Sequence, residues 1–108
     1  MADQETTDDS TEWVDALNEY STRFNPDWIA MRRHLHQHPE LSDAEYMTTE
    51  FLSSALGKMG LPTHIPGEGR GVTADLVSSA KLADGPRIAI RGDIDALPID
   101  DAKAVDYR

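Results

Sequence analysis

The sequence predicts an α/β fold, and three observations carry that expectation. Residues 10–60 bear apolar side chains at helical spacing. Two later runs, 72–77 and 87–90, are short, apolar and β-branched, with glycine- and proline-containing turns beside them. The second run leads straight into Arg91-Gly92-Asp93-Ile94-Asp95, where charge concentrates. In an open α/β sheet, chemistry gathers at the carboxyl ends of strands. About three helices and two to three strands are expected.

The elements follow in order. Residues 1–9 are polar and acidic without periodicity and read as a disordered tail, leaving 10–108 as the folded portion. Ser10 or Thr11 can cap a first helix, along which Trp13, Val14, Leu17, Tyr20 and Phe24 recur. Asn25-Pro26 ends it and starts a second, with Asn25 as N-cap and Pro26 at the first helical position. That helix turns Trp28, Ile29, Met31 and Leu35 toward a core, with His36 a further candidate, and stops before Pro39. Ser42 followed by Glu45 forms a capping box for a third helix. Its stripe is Met47, Phe51, Leu52, Ala55, Leu56 and Met59, and Gly60 is its stop. Residues 61–65 suit a short strand, 66–71 a glycine-rich loop, and 72–77 and 87–90 two strands able to pair as a hairpin. Residues 78–86 connect them, and 100–108 form a polar tail.

Composition narrows the class. The chain has 108 residues, a usual size for one domain, and no cysteine, which excludes disulfides and thiolate metal sites. No apolar run reaches the length of a membrane span, and the acidic start lacks the features of a signal peptide. A soluble cytoplasmic protein is expected. The net charge of -10 argues against nucleic acid or an anionic membrane as partner. Asp outnumbers Glu thirteen to seven and Arg outnumbers Lys seven to three. Such a surface suits a salt-adapted, halophilic cytosol, where screening removes self-repulsion; an ordinary acidic protein remains the alternative.

Three features could carry chemistry. Asp93 and Asp95, at i and i+2, share one side of an extended chain, with Arg91 beside them. They read either as a site that orients a metal ligand or binds a cation, or as a solvated acidic turn continuing into Asp100 and Asp101. His34, His36 and His38 invite a metal reading, but on a helix only His34 and His38 share a face. The competing reading is a capping and packing cluster at a helix C-terminus. Gly67, Gly69 and Gly71 lack the Lys-Ser/Thr of a phosphate loop and belong to a connecting loop.

The stretch Arg32-Arg33-His34-Leu35-His36-Gln37-His38-Pro39-Glu40-Leu41-Ser42, followed by Glu45, Thr49, Phe51-Leu52, Leu56 and Gly60, resembles the opening of the M20-type metallopeptidase and amidohydrolase family. Its hippurate and indole-acetyl-amino-acid hydrolase branch is the most similar. Gly71-Val72 with Ala74-Asp75-Leu76 resembles that family's next strand, and the stretch from Ile88 to Ile99 its strongest early motif. The resemblance covers roughly residues 28–100.

The resemblance implies the N-terminal part of a zinc-peptidase-like mixed sheet with flanking helices. It implies a reaction in which metal-activated water attacks an amide carbonyl, with Glu as general base. The wider family has His-x-Asp where this chain has Asp93-Ile94-Asp95. Asp95 therefore matches the catalytic-site aspartate, with Arg91 and Asp93 supporting, and no residue here is expected to ligate metal. In that branch the ligands come from a later Cys-Gly-His-Asp segment, a Glu and further His residues. The expectation is a fragment, inactive alone, of an enzyme that uses zinc or manganese on a small N-acyl amino acid or peptide. A homodimer of the full-length enzyme is the expected assembly. The alternative is a stand-alone acidic interaction module that reuses the fold.

Overall fold

The computed structural model describes residues 9–77 and 85–108. Residues 1–8 of the expected tail and 78–84 of the expected connection lie outside the described residues. Helix α1 spans Asp9–Gln37, α2 spans Tyr46–Lys58, and the strands β1 (Thr63–His64) and β2 (Thr73–Ala74) follow. The elements are mixed α and β, as expected, but the first two expected helices are one. Pro26 lies inside α1. Its ring fixes φ near the helical value and removes one hydrogen bond, so the chain can continue when both flanks are helical. Asn25 accordingly caps nothing.

Helix α2 begins at Tyr46, a few residues after the start that a Ser42 cap would give, and is capped differently. Glu45 occupies the N-cap position without a side-chain capping bond, and its Oε1 instead accepts the Asp43 N–H at 3.0 Å. The Met47 and Thr48 N–H groups donate to the Glu40 carboxylate from seven and eight residues away. A chelating carboxylate satisfies two orphan donors at once, which a Ser42 hydroxyl could not do. The helix ends as its glycine predicts. Gly60 has φ +79°, and the Leu61 N–H reaches the Leu56 carbonyl while the Gly60 N–H reaches that of Gly57. That pair of bonds is a Schellman motif.

The strands pair with each other, antiparallel, with Thr63 opposite Ala74 and His64 opposite Thr73. The expected hairpin between 72–77 and 87–90 is absent among the described residues, and 87–90 forms no strand. Ile88 and Ile90 are 93% and 97% exposed. β-Branched residues favour strands because they pack on a half-buried pleated surface, and among the described residues no neighbouring strand supplies one to this segment. Arg87 forms a surface ion pair at 3.8 Å with Asp75, the residue after β2.

Packing departs furthest from expectation. Among the described residues no apolar side chain is fully buried; the buried ones are Glu45, Thr48 and Thr49. Trp13, Leu17, Tyr20, Trp28 and Ile29 on α1 are exposed, as are Met47 and Met59 at the ends of the α2 stripe. Phe51, Leu52, Ala55 and Leu56 are half-buried. The radius of gyration is 18.9 Å, against about 13 Å for a compact domain of this length. No helix among the described residues is long and apolar enough to cross a membrane.

Thr49, 1% exposed, joins α2 to the loop before β2. Its hydroxyl donates to the Glu45 carbonyl at 2.6 Å and accepts the Gly71 N–H at 2.7 Å. Gly71 has φ +83°, a geometry natural to glycine, which lets its N–H turn toward α2. On the same side Arg70 donates to the Asp43 carbonyl at 3.0 Å and pairs with Glu68 at 3.0 Å. Thr49→Val keeps the shape of the side chain and removes the hydroxyl, leaving the Gly71 N–H without its acceptor. It is expected to destabilise the fold by about 1–3 kcal/mol, measured by urea unfolding followed by circular dichroism, with Thr49→Ser retaining most of the stability.

Candidate active site

Two motif segments meet beside the N-terminus of α2. The first runs off the end of α1 through His38, Pro39 and Glu40. The second is the stretch around Asp93 and Asp95. The Ala96 N–H donates to the Glu40 carbonyl at 2.7 Å and fixes one against the other. Asp93 and Asp95 then line a groove of about 660 Å³ whose other wall includes His36, His38 and Glu40. They also line a second groove, of about 410 Å³, shared with Arg70, Arg91 and Glu45. The expected pair of aspartates thus sits between two grooves, on irregular backbone rather than at a strand end.

Glu40 is the most strongly held carboxylate here. Its Oε1 accepts both the hydroxyl and the N–H of Thr48 at 2.5 Å, and its Oε2 accepts the Met47 N–H at 3.1 Å. The Thr48 hydroxyl, and then the helix N–H groups, hold its pKa below the usual glutamate range, against an opposing desolvation by burial. Arg91 pairs with Asp93 at 2.9 Å, on the surface, where such a pair contributes little to stability. Among the described residues the Asp95 carboxylate has no hydrogen-bond or ion-pair partner.

The three histidines take separate roles. His34 stacks on Phe51 of α2 at 4.1 Å and on His38 at 4.4 Å. The His38 Nδ1–H donates to the His34 carbonyl at 2.8 Å, which caps the end of α1. His36 Nε2 meets Asp101 Oδ2 at 2.7 Å. The Asp101 pKa is lowered first by the Lys103 N–H and then by His36. Gln37 bonds the Asp106 carbonyl at 3.0 Å and the Arg33 guanidinium lies 4.2 Å from the Tyr107 ring. The polar tail therefore packs along the last turns of α1. Among the described residues no three His, Asp or Glu side chains converge on a common point.

Sequence reasoning located Arg91, Asp93 and Asp95 but gave no role to Glu40, Thr48 or Asp101. An acidic residue a few positions before a helix start was the available signal for Glu40. Nothing local marks Asp101, whose partner lies 65 residues away.

No protein-family model matches the chain, and no solved structure matches it. Curated proteins do. The chain is 43% identical over 79 residues to the N-acetyl-L-cysteine deacetylase of Bacillus subtilis, covering 73% of this chain and 18% of that protein. It is 46% identical over 77 residues to an uncharacterised hydrolase of Staphylococcus haemolyticus, 71% of this chain and 19% of that one. It is 34% identical over 84 residues to thermostable carboxypeptidase 2 of Saccharolobus solfataricus, 76% of this chain and 21% of that one. The chain thus spans about a fifth of the length of the curated relatives it matches.

The lowered pKa of Glu40 sets a pH dependence. The ionised form is favoured in the folded state, so its contribution is full above the ordinary glutamate pKa and is lost as pH falls through the lowered folded value. The Met47 and Thr48 amide resonances should shift together below the ordinary glutamate range as α2 loses its cap. In Glu40→Gln they should show no such step, a comparison made by NMR titration.

Proposed function

We propose that this chain is the N-terminal portion of a metal-dependent amidohydrolase or peptidase of the M20 type. The complete enzyme would hydrolyse the amide bond of small N-acyl amino acids or peptides. The observation that carries this reading is the Ala96 N–H bond to the Glu40 carbonyl. It joins segments 32–42 and 88–99, the two on which the resemblance rests, along one groove. The relatives' names agree in chemistry: a deacetylase of an N-acetyl amino acid and a carboxypeptidase each cut an amide with water.

In this reading Asp95 is the catalytic-site aspartate. Asp93 is engaged by Arg91, which leaves Asp95 as the member of the pair able to orient a further group. Arg91 and Asp93 hold the charge of the segment close to balance beside it. The zinc or manganese ion that the resemblance implies does not fit the described residues: His34, His38 and His36 are committed to Phe51, the His34 carbonyl and Asp101, and among them no three His, Asp or Glu side chains converge. Its ligands would come from other parts of the complete enzyme. Net charge -10 favours a small substrate over nucleic acid or an anionic membrane.

Asp95→Asn keeps shape and hydrogen-bonding capacity while removing charge. In the complete enzyme, assayed on N-acyl amino acids with metal saturating, activity is expected to fall about 10–100-fold while folding survives. Full activity would leave Asp95 a structural residue, and no hydrolysis by the unaltered enzyme would remove the functional reading.

A further inference from the structure

We infer that Glu40 is the positioning residue of the candidate site: its carboxylate holds the first turn of α2, and its own carbonyl thereby holds the segment that carries Asp95. This rests on the reading of Asp95 given above.

The two functions of Glu40 lie in one residue. Its side chain makes three bonds to α2, through the Met47 N–H, the Thr48 N–H and the Thr48 hydroxyl. Its carbonyl accepts the Ala96 N–H, immediately after Asp95. Among the described residues that is the one main-chain hydrogen bond tying segment 85–99 to the rest of the molecule; the other, from the Ile99 N–H to the Leu97 carbonyl, closes a turn inside it. The backbone on both sides is restricted. Pro39 fixes its own φ and biases His38 toward extended geometry, and Pro98 does the same to Leu97. Rotation at Glu40 lies between these restricted residues, and the carboxylate anchor restrains it. A carboxylate bound by helix N–H groups is a rigid reference point, because charge-assisted bonds are short and directional. Asp95 has no such anchor of its own, so its placement depends on the carbonyl next to it.

Amide hydrogen exchange in this 108-residue chain tests the coupling without any turnover. Glu40→Ala is expected to speed exchange at Ala96 roughly tenfold or more, together with Met47 and Thr48. Glu40→Gln, which keeps an acceptor for Thr48, should restore much of the protection. Gly60→Ala, which strains the far end of α2, serves as the control and should affect Ala96 less than Glu40→Ala. Unchanged Ala96 exchange in Glu40→Ala, with Met47 and Thr48 accelerated, would reduce Glu40 to a helix cap and overturn the inference. Equal acceleration of Ala96 by Gly60→Ala would overturn it too, by showing only general loosening. Hydrolysis is read separately in the complete enzyme, so its absence would remove the role assigned to Asp95 without altering the exchange result.

Discussion

At the start of α2 a single carboxylate, Glu40, accepts two helix N–H groups and a hydroxyl, and one turn further on the Thr49 hydroxyl bridges the helix to Gly71. Most other placements follow from this polar joint. It fixes where α2 begins, brings the loop before β2 against it, and sets the carbonyl on which the Asp93–Asp95 segment rests. The bonds at Thr48, Thr49 and Gly71 carry weight because their groups are partly or wholly removed from water, where an unmet donor is costly. An apolar core does not share the task among the described residues.

The same feature explains what the sequence reveals and what it conceals. Helix α2 and its stop at Gly60 were legible because their signals are local: a 3.6-residue stripe and a residue tolerant of positive φ. The two short strands at 63–64 and 73–74 fall inside expected runs for a similar reason. Pro26 misled because an interior proline, which costs a hydrogen bond and crowds the carbonyl four residues before it, is usually a helix boundary, yet here α1 runs through it. Ser42 and Glu45 misled because α2 begins only at Tyr46, so Glu45 is its N-cap rather than its third helical residue, and the Met47 and Thr48 N–H groups go to Glu40. The strand expected at 87–90 required a neighbour, and β-branching cannot say whether one is present.

Site residues divide the same way. Arg91, Asp93 and Asp95 stood out by charge density in a short span. Their company in the groove, Glu40 with His36 and His38, depends on a contact across more than fifty residues and could not be read from spacing. The histidines illustrate the converse. Three at alternate positions suggested one centre, yet ring stacking, a helix-end carbonyl and Asp101 draw them apart. His36, with Gln37 and Arg33, instead secures the last residues of the chain along α1. The extensive exposed apolar surface of α1 and of Ile88 and Ile90 fits the proposal that the chain is one portion of a larger enzyme.

Hydrogen bonds at the start of α2, rather than apolar burial, hold the chain that presents Asp95. Scanning calorimetry of the 108-residue chain measures this directly, because the heat-capacity change of unfolding reports apolar surface exposed. A value well below about 12 cal/mol/K per residue is predicted. A cooperative transition with the ordinary value would show a buried apolar core and contradict the account.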